Sequence, residues 1–186
     1  MTQQVKQRCH ALADAGYVAM APDLMGGVVP LTAAEGELEL SQSDPNVNAA
    51  LVLASIVTLR TQTIDPEAPV SIIGYSMGGS WGLWAAAREA LSVRAVVSYY
   101  GTQSIGFDDL VAPVLGHFGE RDHLVSIDDV VEMQAHLKLS GTDATIEWYP
   151  EAGHFFAEPE AGELHDSTAD ALAWQRTMDF LADVHR

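Results

Sequence analysis

An α/β fold is what this 186-residue sequence predicts: a three-layer sandwich around a mostly parallel sheet of about five strands. Three observations carry the expectation. Short apolar runs rich in β-branched residues recur at 17–21, 69–75, 93–100, 112–118 and 144–149, each long enough for a buried strand and too short for a helix. Longer segments with a helical period stand between them. The third observation is uniformity, with no internal repeat, linker or low-complexity tract to divide the chain. One domain over residues 1–186 is therefore expected, with ligands at the carboxyl ends of its strands.

The elements read as follows. Residues 4–15 form an amphipathic helix stopped by Gly16, and 17–21 a strand closed by Pro22-Asp23. Residues 24–45, with Gly26-Gly27, Pro30 and Ser43-Asp44-Pro45, read as a long irregular excursion. A helix follows at 46–60, with Ala50, Leu53, Ile56 and Val57 on its inner face, then a loop at 61–68. The strand at 69–75 runs into Ala-rich helical sequence. After the strands at 93–100 and 112–118 comes a helix at 127–137, then the strand at 144–149. A loop at 150–166 leads to a closing helix at 168–184, with Ala171, Trp174, Met178 and Leu181 facing inward.

Composition narrows the function. Twenty-six acidic residues against nine basic ones give a formal charge of −17, a surface that repels phosphate backbones and anionic membranes. Nucleic acid and membrane are thus not expected as partners. Cys9 is the only cysteine, which excludes an intrachain disulfide, and its helical setting reads as packing. The N-terminal residues hold no apolar signal core, so a cytoplasmic location is expected. No histidine–carboxylate spacing resembles a zinc or dinucleotide motif, and no cofactor is expected.

Chemistry concentrates at Gly74-Tyr75-Ser76-Met77-Gly78. Alone, Gly-x-Ser-x-Gly is a weak signal. Between a strand and a helix it becomes specific, because a serine on that sharp turn is held in strained backbone with its hydroxyl exposed above the sheet. A Cβ at Gly74 or Gly78 is expected to collide where strand and helix approach. A serine alcohol needs a base, and the base an orienting acid, in the order serine, acid, histidine on such a sheet. Asp122 follows the strand at 112–118 and His154 follows the strand at 144–149. Glu120 is a rival acid and His154 has the alternative of an ordinary loop histidine. His123 adjoins Asp122 too closely to receive its hydrogen bond, and His117 reads as a strand residue, packing or partly solvated. His10, His136, His165 and His185 stand elsewhere on the chain. Trp81 and Trp84 read as helix-packing residues.

The whole chain resembles the dienelactone hydrolase family of α/β-hydrolases, from about residue 10 to the end. The matching stretches are Ala15-Gly16-Tyr17-Val18-Ala19-Met20-Ala21-Pro22-Asp23-Leu24, Gly74-Tyr75-Ser76-Met77-Gly78-Gly79, Ala95-Val96-Val97-Ser98-Tyr99-Tyr100-Gly101, His117-Phe118-Gly119-Glu120-Arg121-Asp122 and Tyr149-Pro150-Glu151-Ala152-Gly153-His154. The resemblance implies hydrolysis of a small-molecule ester or lactone through an acyl-enzyme, with Ser76, Asp122 and His154 as the matching triad and the Met77 N–H as an oxyanion donor. Three departures accompany it. The namesake enzymes carry cysteine where this chain has Ser76, which points to an ordinary serine esterase. Their substrate-binding arginines are missing from residues 24–59 and after His154, where Phe155-Phe156-Ala157-Glu158-Pro159 stands, so a neutral ester is favoured. Finally, the fold's strand ahead of the first helix, whose loop supplies a second oxyanion donor, has no counterpart here. The expected fold is thus N-terminally truncated, less stable and less active for it. The alternative function is a non-catalytic or weakly active binding protein of the same fold, and a flavodoxin-like binding domain is a more distant one.

Overall fold

Four parallel strands, each the partner of the one made before it, position everything that follows. The computed structural model describes residues 1–28 and 33–186, which divide into two compact units, Met1–Ala68 and Pro69–Arg186.

The first unit is helical among its described residues. Helix α1 (Gln3–Asp14) opens on Thr2, whose hydroxyl accepts the Val5 N–H, and Gly16 at φ 92° ends it. Residues 17–21 are not a strand. Strand formation needs a ladder of backbone partners, no described strand pairs with this segment, and Val18 and Met20 are 53% and 38% exposed. The irregular excursion also needs correcting, since 24–45 contains helix α2 (Ala33–Gln42). Residues 29–32, including the expected breaker Pro30, lie outside the described residues. Helix α3 (Pro45–Thr61) starts where proline fits, at the first helical position, with Asp44 accepting the Asn46 N–H. Its buried face is Asn48, Val52 and Ile56, whereas Val57 is 63% exposed. The period was legible and the phase was not.

The second unit holds the sheet: β1 (Val70–Tyr75), β2 (Val93–Tyr99), β3 (Val114–Gly119) and β4 (Ala144–Tyr149), in the spatial order β1-β2-β3-β4. The sheet therefore has four strands among the described residues, against about five expected. Strands β2 and β3 are buried almost throughout, as continuous apolar runs covered on both faces should be. Helix α4 (Met77–Arg88) packs on β1 and β2, with Gly82 against Ile72 and Val96. Helix α6 (Ser167–Val184) packs on β2 and β3 from the opposite face, where Tyr99 and His117 meet Thr177. Helix α5 (Ile127–Leu139) lies on β4, opening with a reciprocal cap between Ser126 and Asp129. Three layers result.

On α6 the inward residues are Ala169, Ala173, Thr177 and Leu181, while Ala171 is exposed and Trp174 and Met178 are half-buried. The buried threonine explains the change. Its hydroxyl is 2.7 Å from the Tyr99 hydroxyl and 3.1 Å from His117 Nε2, so a polar network fixes which face of α6 turns in.

Candidate active site

β1 ends at Tyr75 and α4 begins at Met77, leaving Ser76 alone to reverse the chain at φ 48° and ψ −119°. The Ser76 N–H donates to the Tyr99 carbonyl at 2.9 Å, tying the turn to the end of β2. The turn is possible because the backbones touch. A Cβ on Gly74 would fall inside the Gly78 carbonyl and the Gly79 nitrogen, and one on Gly101 would fall inside the Ser76 carbonyl. Gly78, by contrast, has nothing within 4 Å of where its Cβ would stand. The second crowded glycine of the elbow is Gly79, pressed against Ser98, rather than the motif glycine Gly78.

The carboxyl end of β3 carries Asp122. Its Oδ1 accepts the N–H groups of Leu124 and Val125 at 2.8 and 2.9 Å, leaving Oδ2 for another partner. Burial pushes this carboxyl upward, but the hydrogen bonds from His154, Val125 and Leu124, with the attraction of His154 whenever it is protonated, prevail and hold it below the usual carboxylate range. The turns after β3 and β4 are stitched together: the Glu120 N–H donates to Tyr149 O and the Arg121 N–H to Ala152 O. That stitching brings His154 to Asp122 across 32 residues of sequence, with Nδ1 2.7 Å from Oδ2. On its other side, His154 Nε2 lies 2.9 Å from Ser76 Oγ. Both side chains of the His–Asp pair are almost wholly buried, at 6% and 2% exposure.

One proton assignment fits this line of three. Ionised Asp122 can only accept, so His154 carries its proton on Nδ1 and offers a bare Nε2 to the serine O–H. Such an arrangement can strip the serine proton as the oxygen attacks a carbonyl. The Met77 N–H, at the first position of α4, is among the opening donors that no intrahelical carbonyl takes. The rival residues stand outside this line: Glu120 and His123 are exposed, and His117 is wholly buried beneath the sheet's carboxyl end. His165 pairs with Asp170, and His185 lies 2.8 Å from Ser71 Oγ. Trp81 and Trp84 meet edge-to-face on α4, both half-buried.

Sequence reasoning passed over two residues. Tyr100 follows β2 at φ 42°, its ring 4.7 Å from that of His154, and its hydroxyl donates to Glu158 Oε1 at 2.8 Å. Burial pushes the Glu158 carboxyl above its usual range, against the pull of the Tyr100 hydrogen bond and the His154 charge. Among described residues only Ser76, Tyr100 and Phe155 combine a side chain with positive φ, and all three surround the His154 ring or its partner. No sequence pattern marks Tyr100 or Phe155 as strained. The run Phe155-Phe156-Ala157-Glu158 did mark a carboxyl near the histidine. Among the described residues, no three His, Cys, Asp or Glu side chains converge as metal ligands would. Nor is any described helix long and apolar enough to cross a membrane.

The sequence profile of the dienelactone hydrolase family matches residues 1–185. The carboxymethylenebutenolidase of Pseudomonas putida is 30% identical over 190 residues, covering 93% of this chain and 77% of the relative. That of Rhodococcus opacus is 26% identical, covering 91% and 71%. Among solved structures, a dienelactone hydrolase-like promiscuous phosphotriesterase from metagenomic libraries superposes with a TM-score of 0.85 at 23% identity, covering 98% and 81%. Thermogutta terrifontis esterase 2, solved phosphorylated by paraoxon, gives 0.71 at 15% identity, covering 97% and 76%.

Proposed function

The chain belongs to the dienelactone hydrolase family and is a hydrolase of ester bonds, and from that premise we propose that it cleaves neutral carboxylic esters or lactones through an acyl-enzyme on Ser76. The observation that carries the proposal is the unbroken line from Ser76 Oγ through His154 to Asp122, at 2.9 and 2.7 Å. Ser76 Oγ attacks the acyl carbon while His154 Nε2 takes its proton. Asp122 holds the imidazolium that forms, and the Met77 N–H faces the developing oxyanion. The tetrahedral adduct collapses as His154 returns the proton to the leaving alcohol. Water, deprotonated by the same nitrogen, then releases the acid and restores Ser76.

A serine alcohol at this position, rather than a thiol, supports ordinary esterase chemistry. The absence of arginine from residues 24–59, and the acidic Glu158 after the histidine, support an uncharged acyl group. A single domain over 1–186 is supported by the family profile spanning both units.

The experiment is covalent labelling. A fluorophosphonate should add once per chain, at Ser76 by peptide mass, and Ser76→Ala should lose both label and esterase activity with an unchanged circular dichroism spectrum. Hydrolysis surviving in Ser76→Ala would move the nucleophile elsewhere. An unlabelled wild-type chain with no turnover would favour a non-catalytic binding protein.

A further inference from the structure

We infer that Glu158, gripped by Tyr100, is a second carboxylate governing His154: ionised, it stabilises the imidazolium that forms as Ser76 gives up its proton, and so positions the base electrostatically. The inference rests on the reading of His154 as the base.

The geometry starts with the turn after β4. The Glu158 N–H donates to the Phe155 carbonyl at 2.9 Å, which folds the segment following His154 back on itself. Glu158 thus sits at the end of a tight turn that begins one residue after the imidazole. Tyr100, from the end of β2, closes the group from the other side. It is fully buried, its hydroxyl bonds the Glu158 carboxylate, and its ring leans on His154 at 52°. Phe155 meets the same imidazole edge-on at 4.4 Å. Both aromatic neighbours adopt positive φ, at 42° and 65°. Strained backbone of this kind persists only where the surroundings over-determine it. Two such residues on one imidazole mark a built environment.

The charged and titratable groups here are few. Asp122 touches His154 from the turn after β3 and Tyr100 from β2, while Glu158 is joined to it through the Tyr100 side chain and by charge. Tyr75 and Tyr99 stand near Tyr100, and Glu160 stands near Glu158. Asp122 is committed through both oxygens, to the backbone and to Nδ1. Glu158 is the other carboxyl of this group, held by the Tyr100 hydroxyl at one oxygen and close enough for its charge to be felt at His154. No arginine or lysine is among these neighbours. A carboxyl half-buried without a cation does not help folding, since burial raises its proton affinity and ionisation then destabilises the native state. Its benefit falls when His154 is charged, which is the transition state of both acylation and deacylation.

The test is the pH profile of kcat and kcat/KM on a neutral ester. Glu158→Gln keeps the shape and removes the charge, and it should fold, because it deletes a carboxyl that opposes folding at neutral pH. The acid limb of kcat/KM should move to lower pH by about half a unit to one unit, since one unit is a tenfold change in the base's proton affinity. The plateau kcat should fall by about three- to tenfold, the same interaction read as a rate. Glu158→Asp, which retains the charge, should keep most of the limb's position. Tyr100→Phe, which strips the carboxylate of its donor, should fall between wild type and Glu158→Gln. An acid limb that stays in place in Glu158→Gln, or moves upward, overturns the inference whatever the melting temperature does. Failure of the underlying reading looks different: His154→Ala would then retain both its activity and its acid limb.

Discussion

His117 should make this protein acid-sensitive, and by a predictable amount. It lies fully buried between Tyr149, 2.9 Å from Nδ1, and Thr177, 3.1 Å from Nε2. Arg176 donates to the Tyr149 oxygen at 3.3 Å, leaving the phenol proton for Nδ1 and the Nε2 proton for Thr177. A neutral imidazole satisfies this chain, and a charged one does not. Burial, and then the nearby Arg176 charge, lower its pKa from 6.5 to about 3. The unfolded chain therefore takes up a proton that the folded chain refuses, and stability present above pH 6.5 is lost as pH falls toward 3. The whole interval is worth about 5 kcal/mol, of which about 2 kcal/mol is lost between pH 7 and pH 5. A typical domain holds only about 5–15 kcal/mol. Urea unfolding followed by tryptophan fluorescence at pH 7, 6 and 5 measures the loss, and His117→Gln should remove this part of the slope. Parallel slopes for the two proteins would mean that His117 charges freely inside the folded chain, and would refute the buried-neutral network.

Two further outcomes follow from the same geometry. Gly74→Ala drives a methyl group into the Gly78 backbone and should lower the melting temperature sharply or abolish folding, whereas Gly78→Ala meets open space and should be neutral or stabilising by up to about 1 kcal/mol; thermal melts of the pair decide it. Between a methyl ester and the matching free acid elsewhere on the acyl chain, kcat/KM should favour the neutral compound, and a preference for the acid would reveal an unrecognised cationic clamp.

Much of this was legible in the chain, and the reasons differ by element. β4 was readable to the residue because a short apolar run between turn signals has few alternatives. Ser76, Asp122 and His154 could be expected together because each follows a strand on one side of a parallel sheet, and their convergence depends on topology more than on local detail. The faces of α3 and α6 were not legible. Both helices are apolar around much of their circumference, so Asn48 and Thr177 turn inward for reasons that hydrophobicity does not encode. Residues 17–21 carry strand composition without a ladder, and a ladder is a property of two segments. The pairing of Glu158 with Tyr100 was not legible, because it depends on strained turns, and strain at a residue other than glycine leaves no trace in composition.

The strand order has a consequence for how the enzyme is made. β1, β2, β3 and β4 lie side by side in the order in which a ribosome delivers them, so each finds its neighbour already waiting and none must be threaded between two others. Ser76 emerges 78 residues ahead of His154. A growing chain can thus shape its serine turn before the imidazole that will stand 2.9 Å from that hydroxyl has been made, because His154 arrives with the turn after the last strand. Helix α6 follows, closing over Tyr99 and His117. The line from Ser76 through His154 to Asp122 is thus completed only in the final fifth of synthesis, when all four strands have been made.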